Sequence, residues 1–231
     1  IPVLLELKQT IQSTTIANNA IQVEEIDFYI LACRLQQNDE RSLAPSIDYI
    51  RYAFNQPRTQ QLSYHLGNYY FRRQQFADAL EYYEKAEIGS LSNEQIAEAK
   101  FRMAYSYFHL KRFTQAKPLF NTIRQLPMDT HYLDANYYYG FLAYADKEYN
   151  EALTCFEKVQ NHPNYGRIVP FYQASIYYFR GDKDKAINIA EAAAKRNDVL
   201  YDLELKQLLG HAYFEKKDYK KALPYLEAYV N

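Results

Sequence analysis

Tryptophan is absent from the 231 residues, and cysteine and methionine occur twice each and glycine six times. Two cysteines are too few for a disulfide framework. Cys33 and Cys155 fall in segments separated by several of the helix pairs described below, beyond the reach of a disulfide, and both are expected as buried, reduced thiols. Charge of one sign is also lacking: 27 Lys and Arg against 28 Asp and Glu leave a net charge of −1 and a pI near 6.6. Bulk electrostatics therefore gives no attraction to nucleic acid or to an anionic membrane surface. No apolar run approaches the roughly 20 residues that cross a bilayer. The chain opens on Ile1-Pro2, with no initiator Met and no basic stretch leading into an apolar one, and reads as a cut or processed piece.

Chemistry is sparse as well. There is no nucleophile elbow, phosphate-binding glycine loop or cluster of Cys and His. His131 and His162 fall in expected connections, and His65, His109 and His211 lie on three separate segments without the short spacing of a helical metal site. No metal, cofactor or catalytic residue is expected, and the chain reads as non-enzymatic. Asp78, Glu81 and Glu84 read as solvated charges pairing with nearby Lys and Arg.

Aromatic residues are what the chain has in excess, with 25 Tyr and 13 Phe, far above ordinary usage. They recur in register. Leu66-Gly67-Asn68-Tyr69-Tyr70 is followed by Phe76-Ala77-Asp78-Ala79-Leu80, and the pattern returns as Met103-Ala104-Tyr105 with Phe113-Thr114-Gln115-Ala116 and as Tyr139-Gly140 with Tyr149-Asn150-Glu151-Ala152-Leu153. It returns again as Gln173-Ala174-Ser175 with Asp184-Lys185-Ala186-Ile187, and as Leu209-Gly210-His211 with Tyr219-Lys220-Lys221-Ala222-Leu223. The alanines at 79, 116, 152, 186 and 222 are 37, 36, 34 and 36 residues apart. A small residue (Gly67, Ala104, Gly140, Ala174, Gly210) stands twelve residues before each alanine, where it lets a first helix approach a second, and a large one (Tyr83, Phe120, Phe156, Leu226) follows four residues after all but Ala186.

On these motifs the chain resembles the tetratricopeptide repeat (TPR) family over about residues 60 to 231, although the family's first-helix Trp is replaced by Ser63, Lys100, Asn136, Pro170 and Lys206. The resemblance implies an all-α fold, an α-solenoid with the right-handed superhelix of tandem helix-turn-helix pairs. Expected boundaries are an N-terminal segment over 1–24, the remnant helix of a preceding repeat, then a divergent pair over 25–59. Repeats follow over 60–96, 97–132, 133–166, 167–202 and 203–231, the last truncated. In the N-terminal segment, Leu4, Leu7 and Ile11 keep helical spacing ahead of the polar Gln12-Ser13-Thr14-Thr15. The divergent pair registers only if its turn holds about two extra residues. Ser92 with Gln95 forms a capping box. Pro57, Pro127 and Pro163 fall between pairs, and Pro118 and Pro224 are expected in the first turn of a second helix, where no amide donor is needed.

The resemblance also implies a concave groove lined by the first helices. Mapping its positions gives Tyr64, Asn68, Phe101, Tyr105, Phe108, Tyr137, Phe141, Tyr144, Phe171 and Tyr178 as ligand-binding residues, for a protein or peptide partner. The alternative for any one ring is packing between successive first helices. Chaperone-binding members clamp a carboxylate with Lys and Asn; here Tyr64, Phe101, Tyr137 and Phe171 stand where the first clamp Lys would be, and Asn68 with Arg102 does not make that clamp. A basic stripe of Arg72, Arg73, Lys111, Arg112, Lys147, Arg180, Lys216 and Lys217 sits near the intrapair turns, either as helix C-terminal cations or as a steering edge for an acidic partner. Carbohydrate or cell-wall fragments stacking on Tyr are the second reading. The aromatic-rich repeats look like those of large bacterial cell-envelope proteins, which implies a periplasmic location. Leu223, Leu226 and Tyr229 have no following repeat, so self-association through this end, or continuation of the chain, is expected.

Overall fold

The computed structural model describes residues 1–13, 19–196 and 198–230. Thirteen α-helices and no strand are found among the described residues, and none of these helices is long and apolar enough to cross a membrane. The chain divides into two compact units, residues 1–119 and 120–231.

The first unit contains α1 (Pro2–Ser13), α2 (Asn19–Gln36), α3 (Leu43–Tyr52), α4 (Gln56–Arg72), α5 (Phe76–Lys85), α6 (Asn93–His109) and the start of α7 (Phe113–Ile123). Here α2 touches its own second helix α3 and the next first helix α4, and α4 in the same way touches α5 and α6. The layers are glued by apolar side chains shared between pairs, such as Leu31, Leu35, Leu62, Leu66 and Tyr69. The second unit repeats the arrangement with α8 (Tyr132–Ala145), α9 (Tyr149–Val159), α10 (Val169–Phe179), α11 (Lys183–Ala194), α12 (Asp202–Glu215) and α13 (Tyr219–Val230). There α10 touches α9, α11 and α12, around Phe156, Val159, Val169 and Ile176 in one layer and Ala190, Leu205 and Leu209 in the next.

The small first-helix residues work by contact. A Cβ on Gly67 would lie 2.8 Å from the Tyr83 ring, and one on Gly140 would lie 2.9 Å from the Cβ of Cys155 and 3.0 Å from the Phe156 ring. At Gly210 the Leu226 side chain fills the same space, so Leu226 packs inside its pair, and only Leu223 and Tyr229 of the C-terminal trio are exposed.

The turns inside the pairs share one backbone solution. Asn38, Gln74, Lys111, Lys147, Gly181 and Lys217 are all left-handed, with φ between 59° and 83°. After each, the next amide reaches back to close the helix: Gln75 to the Tyr70 carbonyl at 3.0 Å, Arg112 to Tyr107 at 2.8 Å, Glu148 to Ala143 at 2.8 Å, Asp182 to Tyr177 at 2.9 Å and Asp218 to Tyr213 at 3.0 Å. Asp39 does the same to Arg34 at 3.0 Å, and the extra residues of this divergent turn form the short 3-10 turn Glu40–Ser42, capped by the Asp39 carboxylate.

Three expectations need correction. Pro118 and Pro224 are the sixth residues of α7 and α13, past the first turn. Each therefore removes an amide that would have had an intrahelical acceptor. Cys33 is half-buried, whereas Cys155 is fully buried; both are free thiols. Helix α2 begins at Asn19, inside the segment assigned above to the N-terminal remnant, and α1 lies on α2 with a Lys8–Asp27 ion pair. Of the polar stretch after α1, Thr14 and Thr15 lie outside the described residues. The capping box on Ser92 and Gln95 is formed at the start of α6.

Candidate functional site

On the first-helix face of the N-terminal unit, the structure sorts the candidate residues by depth. Tyr64, Asn68 and Phe101 are buried, at 3%, 7% and 7% exposure, and Tyr105 and Phe108 are half-buried. The buried polar pair is satisfied internally: the Tyr83 hydroxyl donates to Asn68 Oδ1 at 2.6 Å, and the Tyr64 hydroxyl donates to the Glu98 carboxylate. Burial, reinforced by that carboxylate, pushes the Tyr64 phenol up to about 12. Glu98 in turn holds Arg102 one helical turn on, and the Arg102 guanidinium lies 5.3 Å from the centre of the Phe71 ring. Asn68 and Arg102 are thus both engaged within the unit and present no carboxylate clamp.

Outside this layer is a set of rings. Tyr105 lies 5.6 Å from Phe71, 5.9 Å from Phe76 and 4.3 Å from His109, and Phe76 stacks on His109 at 4.8 Å. These offset and edge-to-face arrangements are the favoured geometry of aromatic pairs. Phe76 joins the set from the start of α5 and His109 from the end of α6, and neither is among the groove residues read from the sequence. His65, behind them on α4, is pushed down to about 4 by burial and by the charge of Arg72.

In the C-terminal unit, Tyr137, Phe141, Tyr144, Phe171 and Tyr178 are all half-buried. Three of them gather around the buried ring of Tyr172: Phe141 at 5.8 Å, Tyr144 at 5.0 Å and Phe171 at 5.4 Å. Tyr201 adds a fourth at 6.3 Å, itself 43% exposed and 4.9 Å from Phe171. Tyr137 takes part differently. Its ring stacks on Tyr165 at 4.0 Å, and His162 stacks on Tyr165 at 4.6 Å. The Tyr165 hydroxyl closes the arrangement on Asp134 at 2.5 Å. Tyr178 donates to Glu215 of α12 at 2.5 Å, and burial with this hydrogen bond pushes its phenol up to about 12. Burial raises the Tyr137 and Tyr144 phenols as well. All these hydroxyls are therefore protonated donors at neutral pH.

Tyr165, Tyr172 and Tyr201 were missing from the sequence-derived set. Tyr172 sits one residue beyond the groove position taken by Phe171, and Tyr165 and Tyr201 lie in the connections between pairs, where the repeat carries no register.

Four of the eight residues of the basic stripe are spent between neighbouring pairs. Arg72 donates to the Leu35 carbonyl at 2.7 Å, at the end of α2, Arg73 pairs with Glu40, Arg180 donates to Asn150 at 2.8 Å, and Lys216 pairs with Asp184. Glu81 makes an exposed pair with Lys85. Glu84 instead accepts from the Tyr107 hydroxyl of the next first helix at 3.2 Å, and Glu191 accepts from Tyr213 in the same relative place at 2.6 Å. Among the described residues no group of three His, Cys, Asp or Glu side chains is close enough to hold a metal ion.

Comparison with known proteins follows the same lines. Sequence profiles described as tetratricopeptide repeat match residues 48–93, 64–129 and 173–231, and a second profile of that description matches 134–165. No curated protein matches the chain. Among solved structures, MamA of strain AMB-1 superposes with a TM-score of 0.60 at 14% identity, over 74% of this chain and 90% of that one. A tetratricopeptide repeat protein from Parabacteroides merdae gives 0.57 at 20% identity, over 89% of this chain and 78% of that one. The kinesin light chain TPR-like repeats of Podosopora anserina give 0.52 at 18% identity, over 77% and 95%. At these identities the likeness is one of fold.

Proposed function

We propose a binding function from one premise: the chain belongs to the tetratricopeptide repeat family, whose stacked pairs make interaction scaffolds. In this reading the protein is not an enzyme. It holds a protein or peptide partner on the aromatic faces of its first helices, with Tyr105 and Phe108 as contacts over Tyr64, Asn68 and Phe101 in the first unit, and Tyr137, Phe141, Tyr144, Phe171 and Tyr178 as contacts in the second. The observation that carries the proposal is the grouping of half-exposed rings around a buried one, Phe141, Tyr144 and Phe171 about Tyr172. Such a surface offers large rigid area, with phenol donors for orientation, at little cost in side-chain entropy.

Capture from the source organism, followed by affinity measurement with the purified partner, tests it. Phe171→Ala and Tyr105→Ala should each weaken binding about tenfold or more, as aromatic anchors do. Glu157→Ala, an exposed change on α9, should leave binding unchanged. Equal affinity of all three variants with intact helical circular dichroism would leave the rings as core and move the site elsewhere. A cell-envelope location belongs to the same reading, on the likeness of the aromatic-rich repeats, and fractionation of source cells tests it. Leu223 and Tyr229, 57% and 44% exposed on α13, are proposed to be covered by a second copy, which light scattering of the purified chain tests.

A further inference from the structure

We infer that the α10 portion of this face takes an extended, uncharged, proline-rich segment of the partner and that Tyr201 is one of the residues touching it, an inference that rests on the groove reading above.

The first observation is charge. Helix α10 carries no charged residue from Val169 to Phe179, and α8 carries only Asp134, which accepts from Tyr165. A charged peptide laid here would give up hydration for no countercharge.

The second is the backbone of Tyr201, which is left-handed at φ 64° and ψ 36°, a conformation that strains a bulky side chain. A residue needed only to start α12 would be Ser, Asp or Asn, whose side chain caps the helix; Tyr201 makes no capping bond. The surrounding loop nevertheless holds it there. The Leu200 amide donates to the Arg167 carbonyl at 2.9 Å, Arg167 Nε donates to the Asp198 carbonyl at 2.6 Å, and Arg196 donates to the Gly166 carbonyl at 3.1 Å. The outcome is an exposed ring set beside Phe171 at an interplanar angle of 32°.

The third is the run of ring faces, Phe141, Tyr144, Phe171 and Tyr201 about Tyr172. A polyproline helix has no internal hydrogen bonds and offers ring faces together with free carbonyl acceptors, which suits aromatic-lined grooves. The Tyr178 and Tyr165 phenols are already bonded to Glu215 and Asp134, so the faces of the rings are what the partner segment uses.

The test uses calorimetric titration of the whole chain with three capped synthetic peptides of equal length: neutral proline-rich, acidic extended, and neutral helix-forming. The proline-rich peptide should bind with little dependence on salt. Tyr201→Gly should weaken it about tenfold or more while Tm stays level or rises, because glycine adopts the left-handed angle without strain. Unchanged binding by Tyr201→Gly, with Tm lowered, would make the ring a covering for Phe171 and overturn the assignment. Tighter binding of the acidic or helical peptide, abolished by Phe171→Ala, would overturn the inference while the groove reading stands. If the best-bound peptide is indifferent to Phe171→Ala in folded protein, both fail. Binding by none of the three overturns the inference alone, since the groove reading answers to the native partner.

Discussion

Lys111, Lys147 and Lys217 hold the left-handed angle that Gly181 holds in the same turn of its own repeat. For an L-residue this costs roughly 1–2 kcal/mol, part of which glycine gives back through its freer unfolded chain. Lys147→Gly should accordingly raise stability by roughly 0.5–1 kcal/mol, read as a higher denaturant midpoint at unchanged slope; a lower midpoint would mean that the lysine side chain is worth more than the strain. Gly140 is the opposite case, since its space is already taken by Cys155 and Phe156. Gly140→Leu should cost about 1–3 kcal/mol or more through overpacking, seen as a fall in Tm. An unchanged Tm would place α8 and α9 farther apart than they are here. At this scale the sequence was informative, because a small residue opposite a large one is a local, repeating signal.

The helical elements were legible from the same repeat, down to the capping box of α6. Their starts were less so. Counting from the repeat placed Pro118 and Pro224 in a first turn, but α7 and α13 begin at Phe113 and Tyr219, because the left-handed turn before each lets the second helix start at once. Pro224 therefore deprives the Lys220 carbonyl of its partner amide, in an exposed stretch of α13. Pro224→Ala should restore that bond and raise stability by about 1 kcal/mol, measured by chemical denaturation; a loss would show that the proline's rigidity in the unfolded chain matters more.

Across the whole molecule the phenols titrate as a population. Burial holds many of them above the ordinary value of 10, with Tyr64 and Tyr178 pushed up to about 12. Since folding raises these values, the stability they contribute is fully present below pH 10 and is lost as pH rises through the folded-state values. Alkaline titration should therefore show helix content falling between about pH 10 and 12, with much of the tyrosinate absorbance appearing only as the helices melt. In strong denaturant the same absorbance should appear near the ordinary value. Full ionisation near pH 10 with helices intact would mean that the rings are open to water.

The period, the pairing of helices and the close contact at Gly67, Gly140 and Gly210 were determined by the sequence alone, since each depends on residues that recur at fixed spacing. Which rings face water was decided only by the tertiary structure. Successive residues on a helix turn by roughly 100°, so a shift of one residue carries a ring from the surface to the core: Tyr172 is buried and its neighbour Phe171 is not. Tyr64 is held inside by Glu98, 34 residues away. Tyr201 projects from a connection whose backbone angle is set by hydrogen bonds to the turn at Gly166 and Arg167. Those partners meet only when the pairs stack, and no local pattern encodes them.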